Sequence, residues 1–119
     1  MNSDPEVAPE KGTIFAALLV YEALSSASDD EPLYEETVTL FVAESVEDAT
    51  RKARLHGENR ETSYDNADGD TITWKLKHVL DVAEVDDDPR DDGAEIYTRH
   101  FRNYRAYEMF EALLGKTQL

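Results

Sequence analysis

The sequence TIFAALLVYEAL at residues 13–24, followed by YEETVTLFV at residues 34–42, decides the fold. The second stretch alternates apolar and polar side chains, which is typical of a half-buried β-strand. The first is a continuous apolar run, and its periodicity alone does not separate a buried strand from a helix. We predict a strand, because the second stretch needs a partner and the polar segment between them, which includes Pro32, suits a hairpin loop.

The downstream sequence contains signals for two helices. Ser45 and Asp48 have the spacing of a capping box, in which each side chain accepts a hydrogen bond from a backbone amide at the start of the helix. This helix should end at Gly57, because glycine is common just beyond a helix C-terminus. A second helix is predicted over about residues 104–114, with Asn103 as its N-cap.

Two further strands complete the expected sheet. Alternating side chains predict one strand over about residues 71–82 and another over 95–102. The order β-β-α-β-β-α, with short connections, favours an α+β two-layer sandwich: an antiparallel four-stranded sheet with helices on one face. We therefore expect a single domain at residues 13–117. Residues 1–12 form an acidic tail with too little apolar surface to become ordered, and we predict that it is disordered.

The net charge excludes several kinds of partner. The 119 residues include 27 acidic and 12 basic side chains, for a formal net charge of -15. Such a surface repels nucleic acids and anionic membranes, so neither is expected as a partner. The acidic N-terminus lacks the features of a signal peptide, and the longest apolar run, at 14–21, is too short to span a bilayer. A cytoplasmic location is therefore expected. A salt-adapted or GC-rich host is an alternative explanation of the acidic excess.

No metal or cofactor is expected. Residues 65–70, with the sequence DNADGD, resemble a calcium-binding loop. Alignment of Gly69 with the glycine of such a loop puts Tyr64 and Lys75 at the first and last ligand positions, where carboxylates are required. We predict a turn there instead. The chain has no cysteine, which excludes thiolate ligands and cysteine nucleophiles. The histidines are widely spaced: His56, His78 and His100.

A cluster of basic and aromatic side chains stands out against the acidic background. Arginine presents a planar fork that suits carboxylates and phosphates, so the cluster is a candidate site for a protein partner or an anionic ligand. Its members are Tyr97, Arg99, His100, Arg102 and Arg105. The competing interpretation is that these arginines neutralise neighbouring acidic loops. A second candidate for partner binding is the preceding acidic loop, with Asp86, Asp87, Asp88, Asp91 and Asp92.

Several short motifs together resemble a known family. They are ETSY at residues 61–64, Asp68 with Gly69, Trp74, VLDV at residues 79–82, and Tyr97, Arg99 and Phe101 at alternate positions. As a set they resemble a family of small bacterial proteins known only as a domain of unknown function. The resemblance covers about residues 13–102. It implies one small, strand-rich domain and supplies no activity or catalytic residues.

Three functional hypotheses remain. The first is a non-enzymatic, acidic protein-binding module, of the inhibitor or immunity-protein type, that acts on a cytosolic protein. Small size, the missing catalytic motifs and the large negative charge favour it. The second is a small anion-binding or ligand-binding domain, or an enzyme, that uses residues 97–105. The third is a homo-oligomeric accessory protein that pairs through the edge of the first hairpin.

Overall fold

The computed structural model describes residues 12–27, 29 and 31–116, and within them the chain forms four strands and three helices. In chain order these are β1 (Thr13–Ser25), β2 (Leu33–Ala43), α1 (Val46–Asn59), β3 (Thr62–Asp65), β4 (Thr71–Glu84), α2 (Tyr104–Phe110) and α3 (Ala112–Lys116). The predicted tail lies outside the described residues, apart from Gly12. No helix in the described part is long and apolar enough to cross a membrane.

The strands form one antiparallel sheet in the order β2-β1-β4-β3. The apolar run at the start of the chain is a strand, as predicted, and it pairs with β2 without interruption from Thr13 opposite Ala43 to Ala23 opposite Leu33. β1 lies between two neighbours, so both of its edges are paired. Residues 15–19 are all buried, so both of its faces are also covered there, in agreement with its continuous apolar sequence. The α+β class, the antiparallel sheet and the predicted element order are confirmed for the described residues. The expected placement of the helices on one face is wrong, because α1 packs on the face that carries Leu19 and α2 lies over the opposite face, which carries Leu18.

The structure differs from the prediction at two strands. The short strand β3 was not predicted, because its sequence, TSYD, is polar and exposed along its whole length. The predicted strand at 95–102 is wrong, since that segment has no regular secondary structure and makes no ladder with β4. Only Tyr97 in this segment is half-buried, and it forms the contact with the sheet that is described below. The predicted helix at 104–114 is divided at Glu111 into α2 and α3, and Asn103 caps α2 by accepting from the amide of Ala106 at 3.0 Å.

The predicted turn at residues 65–70 is confirmed. It joins β3 to β4, and the side-chain oxygen of Asn66 accepts from the amides of Asp68 and Asp70 at 2.9 and 3.0 Å. Gly69 has a φ of 86°, which lies in the left-handed region that favours glycine. The carboxylate of Asp65 accepts a hydrogen bond from the Thr71 hydroxyl at 2.9 Å, across the end of the hairpin.

Helix α1 covers one face of the sheet. The N-cap is present, since the Ser45 hydroxyl accepts from the amide of Asp48 at 3.0 Å. The reciprocal bond differs from that of a capping box, because Asp48 accepts from the amide of Glu44, the residue before the cap, at 3.1 Å. A hydrogen bond from Arg51 lowers the pKa of Asp48. The buried side of the helix consists of small residues, Ala49, Ala53 and Gly57, which let its backbone approach the sheet closely.

The predicted helix end at Gly57 is wrong. Helix α1 continues to Asn59, and the buried Gly57 lies inside it. A β-carbon added at Gly57 would lie 2.8 Å from a methyl carbon of Leu76 on β4, so glycine is required by the close packing of helix and strand rather than by a turn.

The core lies between α1 and the sheet. Ala17, Leu19 and Tyr21 of β1 are buried beneath Ala53, and Trp74 packs against this cluster. Odd-numbered residues of β1 and β2 therefore face α1. Their even-numbered neighbours face the opposite side of the sheet, which we call the outer face.

Candidate functional site

A groove lies between the outer face and the chain that follows β4. Its floor is apolar and consists of Leu18 of β1, Val38 of β2 and Leu80 of β4. Leu18 and Val38 are direct neighbours in the sheet, so they share this face by simple alternation. Leu18 is buried, whereas Val38 and Leu80 remain 41% and 48% exposed. The floor is therefore an apolar surface that the chain covers only in part.

Leu80 reaches the floor because β4 contains an extra residue there. Leu18 lies opposite Asp81 and Leu19 opposite Val79, which leaves Leu80 without a partner in β1. A bulge of this kind changes the direction of a side chain. It places Leu80 on the outer face together with Asp81. A second irregularity, at Lys77, lies between the pairs Val20–His78 and Tyr21–Leu76.

Tyr97 fastens the following segment to this face. Its hydroxyl donates a hydrogen bond to the carboxylate of Asp81 at 2.6 Å, which connects the irregular chain to β4. Burial raises the pKa of Tyr97 to about 12, and the hydrogen bond from Tyr97 to Asp81 and the negative charge of that carboxylate act in the same direction. Tyr97 therefore stays protonated and continues to donate across the physiological pH range.

The opposite wall of the groove consists of aromatic side chains on and before α2. The rings of Phe101 and Tyr107 stack with their centroids 4.7 Å apart, and Tyr104 lies 5.9 Å from Tyr107. Phe110 completes the wall and is 74% exposed. The groove between floor and wall has a volume of about 770 Å³.

The structure brings together only part of the predicted basic cluster. Tyr97, Arg99 and His100 line the groove, whereas Arg102 and Arg105 are exposed and do not line it. The ion pairs found among the described residues involve other cations, namely Arg51, Arg60, Lys77 and Arg90. Within that part of the chain the three clustered arginines form no ion pair. The interpretation that they neutralise nearby acidic loops therefore finds no support in the described contacts.

The sequence comparisons identify the family of the chain. A family model described as "Domain of unknown function (DUF4288)" matches residues 14–98. The chain belongs to the DUF4288 family. The resemblance to a domain of unknown function is thereby confirmed, over nearly the predicted span. No curated protein and no solved structure matches the chain.

The boundary of the DUF4288 match divides the groove into two parts. The matched span contains the sheet, α1, and the hydrogen-bonded pair Asp81 and Tyr97. Arg99, His100 and the aromatic wall lie beyond residue 98. The DUF4288 domain thus contains the apolar floor and the hydrogen bond between Tyr97 and Asp81. The following segment contains the aromatic wall and the positively charged Arg99.

The acidic loop of the DUF4288 domain is partly used to shape its own turn. Asp87 accepts from the amide of Glu95 at 2.9 Å, and Asp88 accepts from the backbone and side chain of Arg90. The hydrogen bonds from Arg90 lower the pKa of Asp88. The other predicted members, Asp86, Asp91 and Asp92, are exposed. Asp86 and Asp87 also line a smaller pocket of about 190 Å³ with Tyr97, next to the groove.

The sequence did not indicate several groove residues in the DUF4288 domain. Leu18 and Val38 belonged to strands predicted correctly, but nothing indicated that a later segment would cover their face. Leu80 was missed because alternation assigns it to the side opposite Asp81, and only the bulge overturns that assignment. Within the described residues, no group of three or more histidine, aspartate or glutamate side chains is placed to bind a metal ion.

We expect Tyr97→Phe to lower stability at neutral pH and to remove an alkaline loss of stability. The lost hydrogen bond should cost about 1 kcal/mol. The folded-state pKa of Tyr97, about 12, lies above the ordinary tyrosine value of 10.0. Its contribution is therefore complete below pH 10 and is lost as the pH rises through about 12. Urea unfolding across this range should show the two free-energy curves separate at neutral pH, with the gap between them closing as the pH rises above 10.

The matched control is Tyr104→Phe. Tyr104 is exposed, and its hydroxyl makes no hydrogen bond in the described part of the chain. This variant should follow the unsubstituted protein at every pH. If the free energies of unfolding of Tyr97→Phe and the unsubstituted protein differ by the same amount up to pH 12, the pKa of Tyr97 is not raised by folding.

Proposed function

We propose that this DUF4288 protein is a non-enzymatic protein-binding module, of the inhibitor or immunity-protein type, which captures a cytosolic protein partner through the groove. One observation carries the proposal: Arg99 and exposed aromatic side chains border the same partly covered apolar floor, and Arg99 forms no ion pair among the described residues. Arginine and aromatic side chains around an apolar centre are the composition of binding hot spots.

The groove and the overall charge have different roles in this proposal. An apolar side chain of the partner packs between Leu80 and Phe110, and a carboxylate beside it pairs with Arg99. The net charge of -15 acts at longer range. It attracts a partner that is basic overall and accelerates the encounter, an effect that decreases as salt is added.

The chemistry of the site favours binding over catalysis. Tyr97 has a pKa of about 12, so it is a poor general base near neutral pH. Asp81 already accepts its hydrogen bond at 2.6 Å. These two groups hold the segment in place and offer no activated nucleophile.

The volume of the groove supports a second candidate function, a domain that binds a small anionic ligand. About 770 Å³ is within the range of ligand sites, and Arg99 and His100 could hold an anion. Such sites bury most of their ligand, however, and a wall containing a Phe110 that is 74% exposed is better suited to a protein surface.

The test is capture of a partner by the full-length chain from a lysate of the source organism, followed by identification and measurement of the affinity of the purified pair. Arg99→Ala combined with Phe110→Ala should weaken binding at least about tenfold, since each removes a hot-spot contact. The matched control removes the same kinds of contact from the exposed side of α1, by Arg54→Ala with Leu55→Ala, and should bind as the unsubstituted protein does.

Three outcomes would contradict the proposal. Equal binding by the groove variant would place the partner elsewhere, with the acidic loop as the next candidate. Failure to capture a stoichiometric protein would remove the proposed function. A small anion retained by the purified protein, detected by native mass spectrometry and lost in the groove variant, would favour the ligand-binding candidate.

A further inference from the structure

The outer edge of β2 is a straight, unpaired strand edge within the described residues. β2 lies at the end of the sheet, and its eleven residues pair with β1 without a register shift. The other long open edge, along the second half of β4, contains irregularities at Lys77 and Leu80. Bulges of that kind disfavour further strand pairing, whereas a regular edge accepts a new strand.

The direction of the main-chain groups on this edge follows from two hydrogen bonds. The carbonyl of Ile14 accepts from the amide of Val85, so the main-chain groups of Ile14 point toward β4. Val42, the partner of Ile14 in β2, must then direct its own amide and carbonyl away from β1. The second bond agrees, because Lys52 donates to the carbonyl of Val42 at 2.6 Å from outside the sheet. Lys52 must release this carbonyl before another strand can pair with Val42.

Alternation extends this result along the strand. The amides and carbonyls of five residues point outward, and their side chains lie on the outer face: Tyr34, Glu36, Val38, Leu40 and Val42. Four of these five side chains are apolar or aromatic, and each of the four is between 39% and 56% exposed. The edge therefore offers main-chain hydrogen bonds and an apolar row at the same place.

We infer that this edge binds the β2 strand of a second copy of the chain, in antiparallel orientation about a two-fold axis at Val38. This is the register that pairs all eleven residues, since Leu33 then lies opposite Ala43 of the second copy. It also separates the like charges. Glu36 faces Leu40 of the other copy and Glu35 faces Phe41, so no carboxylate lies opposite another.

The area available is close to what a dimer needs. A strand of eleven residues is roughly 37 Å long, and a contact about 10 Å deep along it buries roughly 400 Å² per protomer. Phe110 of helix α2 lines the groove together with Glu36 and Val38, next to the position of the second copy, and is 74% exposed. Burial of Phe110 brings the total to roughly 550 Å² per protomer, or about 1,100 Å² for the pair, which exceeds the roughly 1,000 Å² that a specific interface needs; the second copy and the partner of the proposed function then compete for Phe110.

Sedimentation analysis of the full-length protein over a roughly hundredfold concentration range tests the inference. The mass should rise from 13.5 kDa toward about twice that value, more readily at higher salt because the net charge is screened. Amide exchange should slow with concentration at the outward amides of residues 34–42. Val38→Pro removes an amide that β1 does not use, and Val38→Lys places like charges at the axis. Each should weaken association at least about tenfold.

The controls separate this inference from the proposed function. Arg99→Ala should leave the dimer unchanged while it weakens partner capture, and circular dichroism should show a native spectrum for Val38→Lys even if Val38→Pro does not fold. A protein that stays at 13.5 kDa at every concentration and salt would overturn the inference. So would a folded Val38→Lys variant that associates as the unsubstituted protein does.

Discussion

Replacing Leu19 with alanine is expected to remove about 2–5 kcal/mol from the free energy of unfolding. Leu19 is 0% exposed and lies in the cluster of Ala17, Tyr21 and Ala53 at the centre of the sheet. Three conditions determine the cost of such a cavity, and all are unfavourable here. The strand is fixed by pairing on both edges, two of the neighbours are alanines that cannot fill the space, and the helix above is anchored by its own close contact with β4.

Urea unfolding followed by the fluorescence of Trp74 measures this loss, since the single tryptophan packs against the same cluster. The matched control is Leu55→Ala on α1, where the side chain is 51% exposed and the expected loss is within about 1 kcal/mol. A loss of less than about 1 kcal/mol in Leu19→Ala would contradict the placement of β1 at the centre of the fold.

Gly57→Val is expected to cost about 1–3 kcal/mol through overpacking. Valine and glycine differ by only roughly a few tenths of a kcal/mol in helix propensity, so the effect reports packing rather than the helix itself. Even the first added carbon would lie 2.8 Å from Leu76, and the branched valine side chain needs still more space. Either Leu76 moves out of its position or α1 moves away from β4.

A double-mutant cycle with Leu76→Ala identifies the cause. In the Leu76→Ala background the space opposite Gly57 is larger, so the additional cost of Gly57→Val should decrease by at least about 0.5 kcal/mol. The same cost in both backgrounds would mean that the destabilisation comes from elsewhere in the helix.

The difference between sequence and structure at Gly57 is instructive. Local signals were sufficient for Ser45 and Asn103, because a cap depends on residues three positions away. A glycine at position 57 is also what a helix end would have. Here glycine is required because the helix packs closely against Leu76, which lies on β4, further along the sequence. Pattern reasoning has no access to such a contact. The segment at 95–102 misled for a related reason: its side chains alternate in sequence, but of these residues only Tyr97 is half-buried, and it is held by a hydrogen bond to Asp81 rather than by strand pairing.

The candidate site was predictable in its chemistry and not in its shape. Tyr97, Arg99 and His100 were expected to act together, and the groove brings them together. Their apolar floor depends on the bulge at Leu80, which no local pattern revealed. The role of Asp81 as acceptor for Tyr97 likewise depends on which way the chain folds after β4.

Each extra residue of β4, Lys77 and Leu80, reverses the face to which the following side chains point. Because there are two of them, the second reversal restores the original alternation. Trp74 and Leu76 face the helix at even positions, Val79 does so at an odd position between the insertions, and Val82 returns to the even phase. Loss of one extra residue alone would direct the inward side chains of part of the strand to the outer face. Loss of both would leave the inward side chains in phase and remove only the outward Lys77 and Leu80. Changes in the length of this strand are therefore tolerated in pairs, and the groove floor can vary without cost to the core.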